Sequence, residues 1–94
     1  MVSMIGLLWR DDDSKRELIS KIEIAASRYF AKYGHAPTVC YAHPSAFDGS
    51  ELRPGDVVNH PEQGEIKVLG AVYVQPNHFW LVEMTKPKEN AKSD

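Results

Sequence analysis

Apolar side chains recur at Leu18, Ile22, Ala25, Ala26, Tyr29 and Tyr33, with Ile19 and Phe30 beside them. Spacings of three and four residues are the period of an α-helix. At 100° per residue these positions fall within an arc of about 140°. Ser14-x-x-Glu17 has capping-box spacing ahead of the stripe, where each side chain can satisfy a backbone N–H that a helix leaves orphaned. Gly34 follows Tyr33 and suits a left-handed C′ position. The pattern predicts one helix over 14–33, oily along a single stripe. Such a cylinder can cover one face of one sheet and no more.

The remaining apolar runs are short and rich in β-branched and aromatic residues, which predicts strands. The run 4–9 reads as a first strand or a pinned N-terminal arm. It is too short and lacks the basic start of a secretory leader, and no run approaches the ~20 apolar residues of a membrane span. Asp11, Asp12 and Asp13 stop it. Adjacent carboxylates diverge, and no spaced oxygen ligands follow as in a calcium loop. Negative charge favoured at a helix N-terminus is the simpler account.

Further strands are expected over 38–42, 56–59 and 65–68. The last of these continues to residue 74 with a bend at Gly70, and a final strand covers 79–85. Turn chemistry separates them: Asp48-Gly49, Pro54-Gly55, His60 to Gly64, and Gln75 to His78. The expected fold is therefore α+β. One amphipathic helix packs on a four- to five-stranded, mainly antiparallel sheet in the order β-α-β-β-β-β, because short links between successive strands favour antiparallel pairing. Ninety-four residues suffice for one such domain over 1–85, with 86–94 a polar, disordered tail.

The final strand carries the main functional expectation. Alternation places Phe79, Leu81 and Glu83 on one side and Trp80, Val82 and Met84 on the other, so both sides are largely apolar. A strand apolar on both sides is usually covered on both sides, and one helix covers only one. The covers open to it are a partner protein, the N-terminal arm and a second copy of the chain, and the second copy is the expected one, since most soluble oligomers are closed homomers. Phe79, Trp80, Leu81, Val82 and Met84 are the candidate contacts. Ile24 joins them from a small-residue stripe (Ser20, Ile24, Ser27, Ala31) on the far side of the helix.

Composition argues against other classes. A net charge of −2 is unlike a non-specific nucleic-acid binder. Charge is nonetheless uneven, with residues 14–33 carrying a net +3 and residues 48–67 a net −3. A single cysteine, Cys40, excludes an internal disulfide and points to a reducing, cytoplasmic setting. His35, His43, His60 and His78 have no local metal-ligand spacing, with no helical i, i+4 pair and no CxxC. Cys40 and His43 are three apart in extended chain and point to opposite faces, so Cys40 reads as a small buried hydrophobe. Phosphate-binding glycine loops are absent. No cofactor is expected, and a non-enzymatic interaction module is the first reading.

The segment Leu52-x-x-Gly55-Asp56-x-Val58-x-His60-Pro61-x-x-Gly64, followed by Val68, resembles the opening of the SH3-like module of UvrD-type DNA helicases. It is similar also to the RNA-polymerase-binding module of CarD-type regulators. The likeness covers 17 residues, and Ile66 stands where those modules usually carry a second glycine. The resemblance implies contact with a transcription or repair enzyme, so a nucleic-acid- or polymerase-associated accessory role is the alternative. Lys21, Arg28 and Lys32 on one helix face, with Tyr41 and Tyr73 as stacking rings, would serve it. A third reading is a small enzyme whose site, built from His43, His60, His78 and loop carboxylates, forms at a dimer interface.

Overall fold

The computed structural model describes residues 6–83. Strand β1 spans Gly6–Arg10, helix α1 Leu18–Tyr33 and strand β2 Val39–Ala42. A 3-10 turn follows at Pro44–Phe47, then β3 at Val57–His60, β4 at Gly64–Gly70 and β5 at His78–Val82. The class is α+β, one helix on a five-stranded sheet. Residues 1–5, Met84 and the expected tail over 86–94 lie outside the described residues.

The helix is shorter at its start than its sequence pattern predicts. Glu17 holds the N-cap position and makes no side-chain cap hydrogen bond, so the Ser14–Glu17 capping box does not form. A local turn wins instead: the Asp13 carboxylate accepts the Lys15 N–H at 2.9 Å, and the Asp13 carbonyl accepts the Arg16 N–H at 3.2 Å. Asp side chains compete with helical hydrogen bonding in this way. The helix end follows expectation. Gly34 is left-handed (φ 81°) and donates to the Phe30 carbonyl at 2.8 Å.

Leu18, Ile22, Ala25, Ala26 and Tyr29 are buried against the sheet, with Ile19 and Tyr33 packed at the margin. Phe30 departs from the expected stripe and stays 46% exposed. The opposing sheet face supplies Cys40, Ala42, Val58, Ile66, Val68, Phe79 and Leu81, closed at one end by Phe47 and Leu52. Burying each large side chain contributes about 1.5–3 kcal/mol.

The strands lie in the order β1-β5-β2-β4-β3. Three pairings are antiparallel, and β2 pairs with β4 in parallel. Sequential neighbours pair only in the β3–β4 hairpin, which corrects the expectation of successive antiparallel neighbours. Connection length explains it. The crossover through α1 sets β1 and β2 in the same direction with a gap between them, which β5 fills antiparallel to both. Residues 43–56 carry the chain to the far edge before the hairpin turns back to β2. Gly70 ends β4 rather than bending it, and residues 71–77 pass the end of β2, where the Ala71 N–H meets the Ala42 carbonyl at 2.8 Å.

Candidate interaction surface

Strand alternation sends every second side chain to the face away from α1. The register aligns these side chains in rows. Leu8 stands opposite Trp80, Trp80 opposite Tyr41, and Tyr41 opposite Leu69, an uncharged row across four strands. Beside it run Gly6, Val82, Val39, Lys67 and Val57 across all five. Leu8 is 57% exposed, and Trp80, Tyr41 and Leu69 are half-buried. Tyr73, 75% exposed on the 71–77 connection, tilts against Tyr41 with ring centroids 6.4 Å apart. Leu8, Trp80, His78, Tyr73, Val74 and Gln75 line a shallow hollow of about 370 Å³.

The candidate contacts divide between several environments. Phe79 and Leu81 are buried in the core beneath α1. Trp80 lies on the outer face. Val82 shares that face but is fully buried. Ile24 is half-buried on the helix, and Met84 lies outside the described residues. Leu8 and Leu69 join the surface without a signal in the sequence, and Tyr41 and Tyr73 join it as rings expected only to stack on bases. Leu8 sits in a run that is apolar at both neighbouring positions, so alternation there gives no face.

The four histidine side chains are occupied by local structure. His60 is 7% exposed and its Nδ1 accepts the Glu62 and Gln63 N–H groups at 3.0 and 3.2 Å. That assigns the proton of the neutral ring to Nε2, which faces Ser27 Oγ of α1 at 3.2 Å. His43 Nδ1 accepts the Ser45 N–H at 3.1 Å and caps the 3-10 turn. His78 Nδ1 donates to the Pro76 carbonyl at 2.9 Å. His35 meets Glu83, and its ring lies edge-on to the buried Tyr29, 6.3 Å between centroids. Burial, and then the Glu83 charge, holds the Tyr29 phenol above its ordinary range. Burial alone pushes the Cys40 thiol up to about 12. Among the described residues no three of His, Cys, Asp and Glu come together as a metal-binding group.

The aspartate run does not serve the helix terminus. Asp11 is 7% exposed and accepts from the Asp13 N–H at 3.1 Å and from Arg16 at 2.9 Å. Burial raises its carboxyl pKa, but these bonds and the Arg16 and Lys21 charges outweigh that and hold it below the ordinary value. Two of the helix cations lie over aromatic rings. The Arg28 guanidinium lies 5.5 Å from the Trp9 ring centroid and the Lys32 ammonium 5.4 Å from that of Tyr33. These cations lie on the helix side of the sheet, whereas Tyr41 and Tyr73 face the other way.

A polar groove of about 410 Å³ separates the entry to α1 from residues 45–51. Lys15 and Lys21 line one wall, and Asp48 and Glu51 the other. Among the described residues no helix is long and apolar enough to cross a membrane. Comparison with protein-family models, curated proteins and solved structures returned no match.

Proposed function

We propose that this chain is a small non-enzymatic interaction module that pairs with a second copy of itself through the sheet face opposite α1. The row Leu8–Trp80–Tyr41–Leu69, extended by Tyr73, carries the reading. It crosses four strands without a charge, while Arg10, Lys67 and Glu65 sit around it. Aromatic side chains ringed by solvated charge are the usual composition of a contact patch. Leu8 and Tyr73 are exposed, and the half-buried Trp80, Tyr41 and Leu69 join them into one uncharged surface. A two-fold pairing would bring the same row of each copy together. Sedimentation equilibrium is expected to give a mass near twice 10.6 kDa. A single-chain mass at about 100 µM, where a dimer with a Kd of about 1 µM is mostly assembled, would refute the proposal. The buried, unpaired Cys40 supports a reducing, cytoplasmic setting.

The exposed ring of Tyr73 and the half-buried ring of Tyr41 beside it favour a second reading, stacking of single-stranded nucleic acid. Electrostatics speak against it, because Arg28 and Lys32 lie across the sheet from those rings. Oligonucleotide binding that weakens steeply with salt would support it, and no binding at low salt would dismiss it.

A further inference from the structure

We draw no further inference here: the strongest candidate, the polar groove between the entry to α1 and residues 45–51, rests on a helix N-terminus and solvated lysine and carboxylate side chains, with no second observation that points to a ligand.

Discussion

The indole of Trp80 on β5 lies across Gly6 on β1, in the space that a side chain at Gly6 would need. The two strands are hydrogen-bonded neighbours, with Gly6 opposite Val82 and Trp80 opposite Leu8. A glycine on the edge strand therefore lets a large ring lie down along the outer face instead of standing off it.

Gly6→Ala is expected to force that ring aside, because a Cβ would overlap its six-membered portion. Displacing a packed side chain costs about 1–3 kcal/mol. Urea denaturation would measure the loss, and native fluorescence would shift to the red as the indole enters water. In a Trp80→Ala background the same substitution is expected to be nearly neutral. An equal loss in both backgrounds would rule out the contact as its cause.

Leu8→Lys combined with Tyr73→Ser tests the proposed contact face. Both side chains are largely solvated in the single chain. Unfolding of dilute protein is therefore expected to change by about 0.5 kcal/mol or less. Self-association is expected to be lost, and with it the rise in melting temperature with protein concentration. An unchanged mass by light scattering would move the contact elsewhere.

His60 joins the β3–β4 turn to the helix. His60→Ala removes the acceptor for the Glu62 and Gln63 N–H groups and the partner of Ser27. Unsatisfied groups of this kind cost about 1–3 kcal/mol. His60→Asn should cost less, because an Asn carbonyl can accept a backbone N–H two residues on. Thermal melts of both variants, with Ser27→Ala alongside, separate the turn bonds from the helix contact.

The lowered pKa of Asp11 makes part of the stability pH-dependent. Its unfolded value is near 3.8, and its folded value lies below that. The contribution is therefore fully present above the unfolded value and is lost as pH falls through the folded one. The stability gap between wild type and Asp11→Asn is expected to be widest near neutrality and to close in acid. A gap that stays constant down to about pH 2, beneath the usual carboxylate range, would show that the carboxylate charge is not responsible.

Cys40 should be silent toward thiol reagents in the native state. Its ordinary pKa of 9.0 rises to about 12 on burial, so little thiolate is present and none of it is accessible. Alkylation at pH 8 is expected only after denaturant is added. Between the two values the unfolded chain has released a proton that the folded chain keeps, so stability should fall as pH rises through that window. Rapid labelling of native protein would mean that the sheet around β2 opens readily.

The helix was legible because its information is local. Leu18, Ile22, Ala25, Ala26 and Tyr29 repeat with the helical period, and Gly34 can take the left-handed conformation that ends it. Its first turn was less legible, since the Asp13 side chain and carbonyl take the Lys15 and Arg16 N–H groups in a local turn ahead of the helix. Strand positions followed within a few residues from β-branched runs and turn signals. Their order did not, because hydrogen bonding between strands leaves no periodic mark on either partner. Nothing in 78–82 says that it inserts between β1 and β2, or that β2 meets β4 in parallel. The outer face depends on that order. Leu8, Trp80, Tyr41 and Leu69 come from four separate segments and become one row only when register aligns them. Sequence alone thus determined the elements and the single buried stripe of the helix, through backbone geometry acting over a few residues. Which side chains stand together on the open face was decided by strand order, a long-range choice that only the packed molecule makes.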